Sequence, residues 1–485
     1  MIKKHLIGLW VFILFTTSWA QTNIRIHGTA ANGDGRTIEL YHYTDQFSHQ
    51  EELLDKSVLS NSQEFELKCF ARYPMLVFLQ VENYSQSFYV EPGRDYEVVI
   101  PQFDWNIDEQ QNIHLAPIAL PVEFLQLPND DINILINRFD LIVDSFITAN
   151  RTAFDIKFHP QKQYYDKLVK LVDKQLPDTE NEFFNRYKRY QLATLKYNLQ
   201  FDTKRNIYNQ YIKSQPILYF DENYMTLFTT LFANHVSLGN KYIFPHQMVR
   251  WIEQGNLSMM VDSMGVDPLL RNEQLRELVI LQALTEAYFN GRAYNPEKVK
   301  DMIELLAQNT KFGDHRVLAQ AILKQYSTNE KGSEAPTFEL PDADKNMVDL
   351  ASFQGKWIYL SFIRVTDPNS IGEIETIAHF KDSILAKNPN VEFITISCDR
   401  EFQKMYHFLK NTRKGSHYNW TWLHFNNDFD LLRHYQVVSF PTFILIDPQG
   451  RLPYSVTPSP SSGFLISPPW VEKTLDEDQQ FFLRQ

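Results

Sequence analysis

Residues 357–370 read WIYLSFIRVTDPNS. The first seven, Trp357 to Ile363, form a near-continuous apolar run, as a central strand covered on both faces requires. After Arg364 the chain reaches Asp367-Pro368, an N-cap residue followed by proline at the first helical position, which is a strong helix start. Further on, the pattern predicts a helix over 371–385, a second buried strand at Val391–Ser397 (VEFITIS), a helix over 401–409 and a third strand at Thr442–Ile446 (TFILI). Strands alternating with helices in this way build a compact α/β domain. A polar stretch with Gly and Pro, TNEKGSEAP at 328–336, separates it from the preceding chain.

That preceding chain has two textures. From about residue 24 to 115, apolar residues alternate in short runs: Ile24/Ile26, Ile38/Leu40, Phe65/Leu67/Cys69, Phe88/Val90 and Tyr96/Val98/Ile100. Turn signals at Asn32-Gly33-Asp34-Gly35, Ser60-Asn61-Ser62 and Glu91-Pro92-Gly93-Arg94 separate them, predicting a small antiparallel β-sandwich. Past Pro121 the period becomes helical, with stripes at Ile132/Leu135/Ile136/Phe139/Val143/Phe146, Leu168/Val169/Val172/Leu176 and Leu275/Leu278/Val279/Leu281/Leu284. Stops fall at Pro177, Pro216 and Pro245, and no fixed-period repeat is present. The run of aromatics from Tyr164 through Tyr165, Phe183, Phe184, Tyr187 and Tyr190 is expected in helix core.

Composition limits what such a chain does. At about 150 residues per domain, 485 residues suggest three domains. A 44% hydrophobic content with 22% charged residues suits packed cores rather than disorder. The net charge of −12 gives no broad basic face, so no nucleic-acid partner is expected. Two cysteines, Cys69 and Cys398, build neither a disulfide framework nor a cysteine-rich metal site; both are expected free, with no disulfide between them. There is no H-E-x-x-H, no P-loop and no G-x-G-x-x-G, and His407, His417, His424 and His434 are too loosely spaced to signal ligands. Neither a metal nor any other cofactor is expected.

The first twenty residues, MIKKHLIGLWVFILFTTSWA, have the form of an export signal. Lys3 and Lys4 supply the basic start, and the apolar stretch Leu6–Phe15 is shorter than the roughly 20 residues a membrane-spanning helix needs. Ser18 and Ala20 sit three and one residues before a cut at Gln21. An uncleaved membrane anchor is the competing reading. Cleavage leaves 45 basic against 59 acidic residues, a net −14, and no transmembrane span. The expected layout is a signal peptide at 1–20, a β-sandwich at 21–118, a helical domain at 119–328 and an α/β domain at 333–485. The expected location is the periplasm or cell envelope.

The α/β domain resembles a known family. Ala335-Pro336-Thr337-Phe338-Glu339-Leu340, Asp342, Val348-Asp349-Leu350, Gly355-Lys356 and the strand WIYLSF are similar to the opening of the redoxin branch of thioredoxin-fold proteins. The nearest likeness is to exported TlpA/ResA-type thiol–disulfide oxidoreductases. Val438-Ser439-Phe440-Pro441-Thr442, followed by FILID and Gly450, resembles that family's cis-proline loop and next strand. The likeness covers about residues 333–480, and the three-part layout also resembles a multidomain type of Gram-negative envelopes.

The resemblance implies a thioredoxin-like fold with a Cys-x-x-Cys pair at the helix start, where the dipole and unpaired N–H groups favour the thiolate. Counted from Phe362, the pair falls on Asp367 and Ser370, with Glu373 where the family often carries a glutamate. Neither side chain exchanges disulfides, so no catalytic residue is expected there. Asp367 and Glu373 lie about 120° apart around a helix and do not converge as an acid–base pair.

The same resemblance makes Pro441, with Phe440 and Thr442, a candidate binding loop for an extended peptide. The function expected is therefore non-catalytic binding or scaffolding of a peptide or envelope protein. The competing reading is a thiol–disulfide oxidoreductase or peroxidase-type antioxidant enzyme acting through Cys398; a third is a rigid structural cap. Cys398 follows a buried strand rather than opening a helix, so a packed thiol is expected. The aromatic run 417–423, HYNWTWL, is expected to pack in the sheet rather than to form a carbohydrate platform. Pro458–Gly463 is expected as a surface loop before a final acidic helix.

Overall fold

The computed structural model describes residues 23–59, 63–105, 117–155, 161–290, 293–327, 331–411, 417–455, 457–466 and 468–470. The segment 1–20 read as an export signal and the acidic helix expected past 470 lie outside the described residues.

Nine strands open the fold among the described residues: β1 (Asn23–Ala30), β2 (Thr37–Tyr43), β3 (Glu51–Val58), β4 (Glu64–Phe70), β5 (Met75–Val81), β6 (Tyr84–Val90), β7 (Asp95–Ile100), β8 (Ile118–Ala119) and β9 (Glu123–Leu125). They form two sheets, ordered β4-β1-β7-β9 and β3-β2-β5-β6-β8. Ile24, Ile26, Leu67 and Val98 of the first meet Ile38, Leu40, Val77 and Leu79 of the second in one closed core. Each such side chain contributes about 1.5–3 kcal/mol on burial, which selects the register that the alternation predicted.

The sandwich is not purely antiparallel, because β1 runs parallel to β7 and β6 parallel to β8. The β1–β7 approach depends on Gly28, where a Cβ would sit 1.7 Å from the Val98 carbonyl oxygen. The period-two reading missed β3 and β5. β3 is an edge strand, mostly exposed and without a clean apolar face. β5, MLVFLQV, is apolar almost throughout because its outer face is also used: Leu76 packs against the helices.

Eleven α-helices follow among the described residues: α1 (Ile132–Ala149), α2 (Arg151–Phe154), α3 (Lys162–Gln175), α4 (Glu182–Asn198), α5 (Lys204–Ile207), α6 (Glu222–Phe232), α7 (Pro245–Glu253), α8 (Leu257–Met264), α9 (Glu273–Phe289), α10 (Pro296–Asn309) and α11 (Gly313–Ser327). Asp131, Asn181, Asp221, Asn256 and Asn272 cap their helices with side-chain oxygens. Pro245 opens α7 instead of ending a helix, since its missing N–H costs nothing at the first position. One core gathers α1, α3 and α4, and a second gathers the helices from α6 to α11. The rings of Tyr165, Phe183, Phe184, Tyr187 and Tyr190 are all buried.

The C-terminal region is the α/β domain expected. A β10 (Glu339–Pro341)–β11 (Met347–Asp349) hairpin leads into β12 (Trp357–Ile363), α12 (Pro368–Lys387), β13 (Val391–Ser397), α13 (Phe402–Asn411), β14 (Thr421–His424), α14 (Phe429–His434) and β15 (Thr442–Ile446). The sheet order is β14-β13-β12-β15, with β12, β13 and β14 parallel and β15 antiparallel. β12 is central and apolar because both faces are covered. Ile358, Leu360 and Phe362 face a core that includes α14, while Tyr359 and Ile363 face α12 and α13. The 417–423 run supplies β14, and the Tyr418 ring stacks on Phe408 at 5.2 Å within this packing.

The β-sandwich contacts both other regions. Asn133 of α1 accepts from the Tyr89 N–H and donates to its carbonyl, each at 2.8 Å, and Tyr89 Oη donates to Glu222 at 2.7 Å. Toward the α/β domain, Arg400 pairs with Glu82, which also pairs with Arg36 at 3.2 Å, and Arg433 pairs with Glu39 at 3.4 Å.

Candidate functional site

The site is built where β12 ends. Its loop, 364–366, is fixed by Asp399, a fully buried carboxylate just past β13. Asp399 accepts from the Val365 N–H (2.8 Å), the Thr366 hydroxyl (2.9 Å) and the Ser397 hydroxyl (2.8 Å). A charge this deep is tolerated only when its oxygens are satisfied, and three donors do that.

Asp367 then caps α12. It accepts from the Asn369 N–H at 3.3 Å, the Ser370 N–H at 2.8 Å and the Ser370 hydroxyl at 2.7 Å. Ser370 is completely buried, and its hydroxyl in turn accepts from the Arg364 N–H at 3.4 Å. Both side chains are thus engaged in holding the helix start. Glu373, one turn on, accepts from the Ser461 N–H (2.9 Å) and hydroxyl (2.5 Å). That contact ties the 458–463 segment to α12, and Glu373 and Asp367 serve separate partners.

Phe440–Pro441 is a cis peptide bond. Thr442 pairs with Phe362 across β15 and β12, which places Pro441 beside the end of β12 and the loop into α12. The Arg364 guanidinium lies over the Phe440 ring at 4.7 Å. Thr442 Oγ1 donates to the Ser439 carbonyl at 2.7 Å, closing the turn. Val438 is 67% exposed at the loop's crest. Val437, just before it, lines a cleft of about 410 Å³ between α14 and the outer face of the second β sheet, opposite Tyr41 and Phe78. The structure therefore brings Asp367, Ser370, Phe440, Pro441 and Thr442 to one end of one sheet.

The two cysteines are elsewhere. Cys398 is 2% exposed, with Sγ 3.7 Å from the Ile396 carbonyl oxygen. Burial pushes its thiol well above the usual range, and the Asp399 carboxylate adds to that. Cys69 lies in the sandwich core, its thiol pushed up to about 12 by burial. Both are free. Neither is a thiolate near neutrality, which is the form that attacks. Among the described residues no cluster of three or more His, Cys, Asp or Glu is arranged to hold a metal ion. His424, in the buried region beside the site, bonds the Asp399 carbonyl oxygen and the Asn426 N–H. No helix among the described residues is long and apolar enough to cross a membrane.

Sequence reasoning missed Asp399 and Arg364. The available signal was an ionisable residue at the end of each of two fully buried strands, where a charge is kept only for a purpose. The tie from Glu373 to Ser461 had no local signal.

With this fold and site, the C-terminal domain is a thioredoxin-like domain. Residues 355–452 match a family model described as thioredoxin-like. Among solved structures, the chain is similar to one named as a thiol-disulfide oxidoreductase from Bacteroides vulgatus, with 27% identity over 28% of this chain and 93% of that one, TM-score 0.26. It is also similar to a thiol:disulfide interchange protein from Bacteroides sp., with 23% identity over 26% of this chain and 79% of that one, TM-score 0.23. A third is the thioredoxin domain of a thiol-disulfide oxidoreductase from Bacteroides vulgatus, with 25% identity over 25% of this chain and 84% of that one, TM-score 0.21. A comparison with curated proteins finds none that matches.

Proposed function

We propose that this is an exported cell-envelope protein whose thioredoxin-like domain lacks the redox pair and serves binding or scaffolding. In this reading residues 1–20 are removed on export, and 21–118, 119–328 and 333–485 act as three domains. The observation that carries it is the pair Asp367 and Ser370 at the head of α12, where both side chains are used up in capping. A carboxylate and a buried hydroxyl accept and donate hydrogen bonds; they do not form or break an S–S bond.

The binding half of the proposal rests on the loop around Pro441. The half-buried Pro441 and Thr442 and the exposed Val438 present backbone and an apolar crest beside α12, a surface suited to an extended peptide. The adjoining cleft gives such a peptide room against the β-sandwich. The burial of Cys398 weighs against an enzyme working through that thiol.

The test is insulin reduction, with dithiothreitol as electron source, by the chain from Gln21 onward, beside a Cys398→Ser variant. No rate above the dithiothreitol background is expected from either protein. A rate abolished by Cys398→Ser would overturn the redox-inactive reading. A peptide library displayed against the same protein should yield extended ligands whose binding Val438→Glu weakens at least tenfold; ligands indifferent to that change would remove the groove from the proposal.

A further inference from the structure

Lys204, the first residue of α5, lies in the helical region, away from the thioredoxin-like domain. Its Nζ is 2.9 Å from His235 Nδ1. On the other side of the ring, Nε2 is 3.0 Å from Asp267 Oδ2. Asp267 is further held by the Leu269 N–H at 2.9 Å and by Asn240 Nδ2 at 3.1 Å. His235 and Asp267 are 8% and 2% exposed. With the ring proton on Nε2, that N–H donates to the Asp267 carboxylate and the Nδ1 lone pair faces the lysine.

The amine borders a cavity of about 450 Å³, whose wall includes the apolar side chains of Leu238 and Leu269. Arg205 and Lys241, both exposed, also line it. Asp267, the carboxylate among the lining residues, is engaged by His235, so the free charge facing an incoming molecule is positive. The loop carrying Leu238 and Asn240 turns at Gly239, φ +71°, where a Cβ would lie 2.6 Å from Pro245 Cδ.

We propose that Lys204 is a nucleophilic amine, with His235 as its proton acceptor and Asp267 as the counter-charge. Its reactant would be a small anionic aldehyde or keto acid, with which it forms an imine in this cavity. The ammonium first passes one proton to His235 Nδ1, and the imidazolium so formed is held against Asp267. The Nζ lone pair then attacks the carbonyl carbon, making the C–N bond as the C=O π pair moves onto oxygen. Proton transfers from nitrogen and from His235 convert that oxygen into water, which leaves as the C=N bond forms. The sum is ammonium plus carbonyl giving protonated imine plus water, with no oxidant or reductant consumed.

Burial supports the assignment by drawing the Lys204 amine down to about 8, against the opposing pull of Asp267 and Glu286. At pH 7.5 that gives on the order of a hundredfold more neutral amine than an ordinary lysine near 10.4. The lower basicity of the amine gives back part of the gain, leaving about tenfold in rate.

The test uses the full mature chain, glyoxylate and sodium cyanoborohydride at pH 7.5, with peptide mapping of every modified lysine. Lys204 should be modified more than about tenfold faster than the exposed Lys241 in the same molecule; equal rates overturn the proposal. H235Q should slow Lys204 several-fold while leaving Lys241 unchanged, and an unchanged ratio overturns the role of His235. Acetaldehyde in place of glyoxylate should keep only the roughly tenfold preference that the depressed amine gives, below that for glyoxylate; a preference equal for both overturns the selection of an anion. The wild-type ratio is internal to one folded protein, so the outcome does not depend on how the variant folds.

Discussion

Placing two thiols at the head of α12 tests the proposed reading of this site most directly. The perturbation is D367C/S370C in a C398S background, which leaves only the buried Cys69 besides the introduced pair. Asp367 accepts from the Asn369 and Ser370 N–H groups, and losing an N-cap of this kind costs about 1 kcal/mol. Ser370 is fully buried, and removing its hydroxyl bond to position 367 costs about another 1 kcal/mol. The reduced variant should therefore be about 2 kcal/mol less stable, with part recovered when the thiol at 367 ionises and accepts the same N–H groups.

The helix end favours that thiolate by about 0.3–1 kcal/mol, so the thiol should titrate near pH 8 rather than at about 8.5. Oxidised glutathione should close an intramolecular disulfide, read as the loss of two hydrogens by mass spectrometry. The closed form should have a reduction potential in the range of about −270 to −120 mV that thioredoxin-type dithiols span. With dithiothreitol the variant should reduce insulin while the parent does not. Failure of the introduced pair to close would refute the reasoning, since it would mean positions 367 and 370 do not have the geometry of the family's cysteine pair.

Other consequences can be checked separately. Native Cys398 should react with a maleimide at least a hundredfold more slowly than in urea, because its thiol is buried and held protonated; similar rates would show that the strand end opens. Glu82→Gln removes a carboxylate paired with the nearly buried Arg400, and should cost about 3 kcal/mol in chemical unfolding; a loss below about 0.5 kcal/mol would make the contact incidental. Burial raises the phenols of Tyr89, Tyr187 and Tyr359, so the folded state favours their protonated forms. Their stabilising contribution is full below about pH 10, the unfolded value, and falls as pH rises past it. Ultraviolet titration should show these phenols ionising only with unfolding, and reversible titration of all 24 tyrosines near pH 10 would contradict this.

The parts of the fold legible in the sequence were those where one local cause suffices. β12 and β13 announce themselves because both faces are buried, leaving no polar alternation to confuse the period. The head of α12 is legible because Asp-Pro can do little else there. Pairings remote in sequence were not legible. The parallel approach of β1 to β7 depends on Gly28 meeting the Val98 backbone, and no window of adjacent residues contains both. The same holds for the site. Asp367, Ser370 and Pro441 were named from the sequence and do gather at one sheet end, because Thr442 pairs with Phe362. Asp399 went unnoticed because its partners, Val365 and Thr366, lie more than thirty residues away.

The way the site is held shows how its geometry stands without sulfur. In a redox-active domain the helix start must both stand in place and present a thiolate. Here the loop is fixed by Asp399 and the helix by Asp367, six side-chain acceptances in all, none of which involves sulfur. Each contributes about 1 kcal/mol, enough to keep the loop and the cis-proline turn facing each other without a disulfide. Glu373 and Ser461 brace the same helix from the opposite end of the domain's chain. Val438 stays exposed at this edge, an apolar side chain on a turn closed by Thr442. Under the binding role proposed above, a partner covering it would meet a surface already ordered, so binding would cost little conformational entropy.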